Sequence, residues 1–209
     1  MKKRYHILTA VLVAAAIALC TLSLVSAYFL TQGQQTNTVL AGQNTNEISE
    51  AYHPPTEQTT GSNSYQKEIS ITNTGSAPCY IRVYADFSES SIRSRSFFSL
   101  DGITFYSAVR DLNDSSTYVS QLADVNPYWV FHPDDERSDL AGYYYYTIPV
   151  ASGEATAPLF RYVRTDNVTL DDIRQYDIGV YAESIQVTGD NGSAYADYVQ
   201  AWTEILGKS

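Results

Sequence analysis

Histidine and cysteine are scarce in this chain, and that scarcity removes most common catalytic chemistries at the outset. Beyond the N-terminal hydrophobic run only His53 and His132 remain, each followed by proline. Neither lies in an H-E-x-x-H helix, so the usual zinc ligand set is missing. There is no G-x-S-x-G elbow, no phosphate-cradling glycine loop and no Cys/His nucleophile pairing. Adjacent carboxylates such as Asp171 and Asp172 mean little among 23 acidic residues. Basic residues are few, 13 in all, giving a net charge of −10. That balance opposes nucleic acid and anionic membrane surfaces as partners and favours solubility or cation binding. No cofactor is expected.

The two cysteines are Cys20 and Cys79. Lys2, Lys3 and Arg4 precede an uncharged apolar run from Ile7 to Leu24, and Val25-Ser26-Ala27 supplies the small residues of a signal-peptidase site. We read residues 1–27 as an export signal cleaved between Ala27 and Tyr28. The alternative is a retained anchor, because Ile7 to Leu30 as a helix would be ~36 Å long, enough to cross a bilayer. Leu19 is bulkier than the residue that precedes a lipid-modified cysteine, which speaks against lipidation at Cys20. Cleavage removes three basic residues and no acidic one, so the remaining chain carries −13. Only Cys79 is then left, and no intramolecular disulfide can form. Stability has to come from a hydrophobic core, for which the residual length suffices.

Residues 28–64 are rich in Gln, Asn, Thr and Ser and contain Pro54-Pro55, so they cannot build a core alone. They read either as a solvated linker or as an arm that orders as a strand when a sheet edge accepts it. The apolar residues that such a donor strand would use are Tyr28, Phe29, Val39, Leu40 and Ile48. From residue 65 onward the pattern changes to short strands. Ile69 and Ile71 alternate with polar residues, and Cys79, Ile81, Val83 and Ala85 share one face of the next run. With the turn-forming cluster Asn73 to Pro78 between them, they predict an antiparallel hairpin. Cys79 reads as a small buried hydrophobe, with a reactive thiol as the alternative. Phe87 to Arg95 reads as a loop.

Phe97 to Val109 predicts a second hairpin around Asp101-Gly102. Tyr118 to Leu122 reads as a short strand and Tyr128 to Phe131 as a stronger one. Asp134, Asp135, Glu136 and Asp139 form an acidic loop, solvated or holding a calcium ion. Gly142 to Val150 reads as a strand with tyrosines on both faces, either packed or presented to a glycan or protein partner. Pro158 to Val163 adds a strand. Thr169 and Asp172 have capping-box spacing for a short helical stretch ending near Tyr176. Asp177 to Gly189 reads as a central strand. Ser193 then predicts the cap of a helix whose apolar face carries Tyr195, Tyr198, Val199, Trp202, Ile205 and Leu206, with Gly207 as its stop. The sum is an all-β domain over 65–209, an antiparallel jelly-roll or Greek-key sandwich with one C-terminal helix.

Several blocks go further together than singly. Ala27-Tyr28-Phe29, Thr36-Asn37-Thr38-Val39, Gly42 and Glu50 resemble the export signature of Gram-positive proteins processed by the ER-type signal peptidase SipW. Lys67 to Gly75, Tyr80-Ile81-Arg82-Val83, Gly142 to Tyr146, Gly153 to Phe160 and Tyr181 to Gln186 resemble the TasA/camelysin family of biofilm matrix proteins. The resemblance implies a jelly-roll subunit secreted to the extracellular matrix or cell surface. There it would form head-to-tail fibres with itself, and with other matrix proteins, by N-terminal donor-strand addition. The arm here, Gln/Asn-rich and interrupted by proline, departs from the family pattern. Two alternatives stand beside the fibre: a camelysin-like metallopeptidase using His53 and His132, and an adhesion module binding glycans through Tyr143 to Tyr146.

Overall fold

The computed structural model describes residues 45–53, 59–110, 120–134 and 138–207. Its strands are β1 (Asn46–His53), β2 (Gly61–Asn73), β3 (Cys79–Phe87), β4 (Ser96–Ser99), β5 (Tyr106–Ser107), β6 (Trp129–Phe131), β7 (Tyr144–Tyr146), β8 (Phe160–Asn167) and β9 (Ile178–Gln186). Three helices accompany them: α1 (Ser90–Arg93), α2 (Ser120–Val125) and α3 (Tyr198–Leu206). The strands form two antiparallel sheets, in the orders β1-β2-β8-β4-β5 and β6-β7-β3-β9.

One core joins the facing sides of the two sheets. Ile69, Ile71, Phe98, Phe160 and Val163 come from the five-stranded sheet; Ile81, Val83, Ala85, Phe87, Trp129, Phe131 and Tyr144 come from the four-stranded one. Phe98 stacks on Phe160 at 4.2 Å and on Phe87 at 5.7 Å, so aromatic rings bridge the layers. The predicted inward face Cys79, Ile81, Val83 and Ala85 is buried as expected. Burial also pushes the Cys79 thiol up to about 11, which suits a packed side chain more than a reactive one.

The expected hairpin from Lys67 to Phe87 does not form. β2 and β3 lie in different sheets, and Asn73 to Pro78 arches from one to the other. Asn73 holds the arch: its side-chain amide donates to Ala77 O at 2.8 Å and Val150 O at 2.9 Å, while its Oδ1 accepts from the Gly75 N–H. Two inward isoleucines and two inward residues of β3 can face each other across a core only if the strands stack instead of pairing. The second predicted hairpin is present, with Phe97 opposite Ser107 and Phe98 opposite Tyr106.

Other boundaries move. Of the strand predicted over Tyr118 to Leu122, the described part from Ser120 opens a helix, Ser120–Val125; Leu and Ala favour it, and Leu122 anchors it in the core. Ser90–Arg93 is a helical turn within the predicted loop. The strand expected over Gly142 to Val150 shortens to Tyr144–Tyr146. Asp177 to Gly189 yields β9, which among the described residues is an edge strand and not a central one. Thr169 donates through both N–H and hydroxyl to Asp172, at 2.7 and 3.0 Å, but the helical stretch it starts is a single 3-10 turn, Leu170–Asp172. The C-terminal helix is capped by Asp197, whose Oδ1 accepts the Gln200 N–H at 2.8 Å, and not by Ser193. Gly207 is its C-cap.

Helix α3 roofs the outer face of the four-stranded sheet. Trp202 is buried with Tyr145 and Leu140, flanked by Tyr198, Ile185 and Leu206. Arg82 points outward from β3 into this layer, with its guanidinium 4.1 Å from the Tyr143 ring centroid and 4.4 Å from that of Trp202. Its Nε donates to Glu183 at 2.5 Å.

Candidate functional site between two edge strands

Among the described residues β1 and β9 are edge strands of their sheets, and they lie next to each other. They touch at one end, where the Asn46 side-chain amide donates to Ser184 Oγ at 3.0 Å. Toward the other end a pocket of about 240 Å3 opens, lined by Glu50, Tyr52, Tyr65, Lys67, Tyr176, Asp177 and Ile178.

The pocket follows from strand periodicity. On β2, residues 65, 67, 69 and 71 share the inward face; on β1, residues 48, 50 and 52 do. Over Ile48, Ile69 and Ile71 that face is apolar and belongs to the core. One step further along both strands it becomes Glu50, Tyr52, Tyr65 and Lys67. The inner lining thus changes from isoleucine to charge and phenol within one sheet face. The β2–β8 register also shifts between Gln66 and Ile69, so Lys67 sits at a bulge, a device that re-aims side chains.

Lys67 is only 7% exposed. Its Nζ lies 2.5 Å from Glu50 Oε1 and 5.2 Å from the Tyr52 ring centroid. Tyr52 packs edge-on against Tyr65 at 5.8 Å. The Tyr65 hydroxyl lies 3.0 Å from that of Tyr176, which in turn is 2.9 Å from Thr165 Oγ1. Burial first, then the neighbouring Tyr176, raises the Tyr65 phenol well above its ordinary range, so it stays protonated at any physiological pH. The same causes raise Tyr52. Asp177 and Ile178, at the start of β9, close the far wall, Asp177 being exposed. The pocket therefore offers an ammonium, two carboxylates and protonated phenols, a set suited to holding a hydrogen-bonding ligand.

Sequence periodicity already placed Ile69 and Ile71 on one face, and Lys67 and Tyr65 are in phase with them. That phase was the available signal for the pocket, and the reading from Lys67 onward missed it because it followed only the apolar positions.

The residues singled out from sequence fall in different places. Ala27, Tyr28, Phe29, Val39 and Leu40 lie outside the described residues. Ile48 is in β1, opposite Ile71 and packed against the core. The stretch Asn46–His53, read as part of a flexible arm, is thus a strand of the chain's own sheet, and β2 begins at Gly61. Backbone pairing with β2 along its whole length, together with the Glu50–Lys67 ion pair, supplies what its few apolar residues do not. His53 ends β1, whereas His132 follows β6 in the other sheet, its ring edge-on to Tyr145 at 5.2 Å. Among the described residues no group of three or more His, Cys, Asp or Glu side chains could hold a metal ion. Of the acidic loop, Asp135 and Glu136 lie outside the described residues, and Asp134 accepts two hydrogen bonds from buried Arg110 at 3.0 and 3.2 Å. Of the rings expected at a glycan contact, Tyr144, Tyr145 and Tyr146 are buried by packing and Tyr143 is half-buried against Arg82. No protein-family model matches the chain, and no curated protein is similar enough to match it.

Proposed function

We propose that the protein is a secreted structural subunit of extracellular matrix fibres, released by cleavage after Ala27 and assembled by adding an N-terminal segment of one copy to a sheet edge of the next. The observation that carries this reading is the outer margin of β1. Among the described residues no strand pairs with that side, and β1 directly follows residues 28–44, a stretch without a single charged side chain. An unpaired edge presents a row of backbone donors and acceptors, and an uncharged strand can add to it without meeting the repulsion of an acidic surface. A contact of this kind is heterologous and propagates as a filament. The jelly-roll expectation belongs to the same proposal. It is supported by the pairs β2–β8 and β3–β9, whose connections both cross from one sheet to the other. The partners are further copies and other matrix proteins, and no cofactor enters.

The position of β1 refines the test. A deletion of residues 28–44 leaves Asn46–His53 in place, whereas a longer one would strip the sheet of its own strand. Negative-stain electron microscopy of the secreted protein should show filaments, and the 28–44 deletion should show monomers. Monomers from both proteins would sink the reading.

A further inference from the structure

We infer that the pocket between β1, β2 and the start of β9 is a binding site for a single neutral sugar ring. A lysine that is 7% exposed and in phase with Ile69 and Ile71 is costly to desolvate, and an aliphatic residue would pack there without that cost. The whole inner face turns polar at the same level on both strands, so the change is one of site and not of a single residue. At about 240 Å3 the pocket is smaller than the roughly 300–1,000 Å3 typical for drug-sized ligands, and so admits one ring-sized unit.

The polar groups set the ligand class. Among the described residues Glu50 uses only Oε1, toward Lys67, and the Asp177 carboxylate has no partner. Two carboxylates, one from β1 and one just before β9, can each accept from sugar hydroxyls, while Lys67 keeps ammonium protons to donate. Tyr52, 49% exposed, presents apolar surface for the C–H groups of a pyranose. Two carboxylates against one ammonium leave the site net negative, which disfavours uronic acids and phosphates. A metal ion finds too few ligands, since no group of three is present among the described residues. A neutral polyol ring satisfies all of these conditions together. The inference does not depend on fibre formation.

Saturation-transfer NMR tests it on the secreted protein, because the method reads the ligand and works on monomers and filaments alike. The probes are methyl glucoside, N-acetylglucosamine and, as the anionic control, glucuronate. Both neutral sugars should receive saturation, glucuronate should not, and Tyr52→Ala or Asp177→Asn should each weaken binding by about tenfold. Asp177 is exposed, so its substitution tests the site even if Tyr52→Ala disturbs β1. Absence of saturation with both neutral sugars at about 20 mM, signals unchanged in both variants, or glucuronate binding as well as the neutral sugars would each overturn the assignment.

Discussion

The four-stranded sheet is buried on both faces where α3 covers it, around Tyr80, Arg82 and Tyr145, although Tyr84 and Tyr181 stay exposed beyond the helix; in the five-stranded sheet only the inward face is buried. In β3 the inward Ile81 and Val83 and the outward Tyr80 and Arg82 are all below a tenth exposed, and β7 is three buried tyrosines in a row. In β2, by contrast, Ile69 and Ile71 are buried while the outward Ser70 and Thr72 are only half-buried. Across from them Arg161 meets Glu68 at 3.5 Å in the open. The difference lies in the outward residues. At Arg82 and Tyr145 the outward residues present large planar surfaces that gain from cover, and α3 supplies it with Trp202 and Tyr198. Ser, Thr and Glu gain little from a roof, and among the described residues no helix lies over them.

The sharpest way to break this contrast is to remove the roof. Trp202→Ala should cost about 3–5 kcal/mol, the range for truncating a buried aromatic, because it empties the centre of the cluster holding Tyr145 and Leu140. Urea unfolding followed by tyrosine fluorescence measures it; a loss no greater than about 1 kcal/mol would mean that the helix only rests on the sheet. Arg82→Ala should cost less, about 2–3 kcal/mol. It removes the stack between Tyr143 and Trp202, but the Glu183 carboxylate it strands is already 31% exposed and can rehydrate. If Arg82→Ala proves as damaging as Trp202→Ala, the ion pair and not the aromatic cover holds the roof.

Much of this was legible in the sequence, and the failures have a common cause. Alternation fixed which residues of β2 and β3 face the core, because a half-buried strand writes its inner face at every second position. The same periodicity cannot say whether two consecutive strands pair or stack. Asn73 to Pro78 therefore read as a hairpin turn when it is an arch, and the deciding bond, from the Asn73 amide to Val150 O, spans 77 residues. β9 read as central because its alternation is good, although it lies at an edge. Within the stretch read as an arm, Asn46–His53 had no local strand signal for a related reason: it has little apolar content, and its order comes from pairing with β2. The pocket was visible as Lys67 falling in phase with Ile69 and Ile71. Its remaining wall, Tyr176 to Ile178, arrives from more than 100 residues away and has no local sign.

The smallest expected effect lies at the other end of the five-stranded sheet, where a local and exposed device does the holding. The β4–β5 turn wraps around Asp101, whose carboxylate accepts the Ile103 and Thr104 N–H groups at 2.8 Å each and the Ser99 hydroxyl at 3.0 Å. Those bonds, that from Thr104 foremost, hold its pKa down to about 2 against an ordinary 3.8. A carboxylate whose folded pKa is depressed contributes stability above its unfolded pKa and loses it as pH falls toward the folded one. Asp101→Asn carries no such titration. The variant should therefore be less stable than the parent at neutral pH, with a gap that holds down to about pH 4 and narrows from there toward about pH 2. Urea midpoints collected across that range would show it. A gap that stays constant through the acid range would place the hold on the turn in Gly102, whose φ of +74° suits glycine, and not in the carboxylate. Either way the turn gives up less than the roof does, because solvent replaces an exposed hydrogen bond far more readily than it replaces the contacts around Trp202.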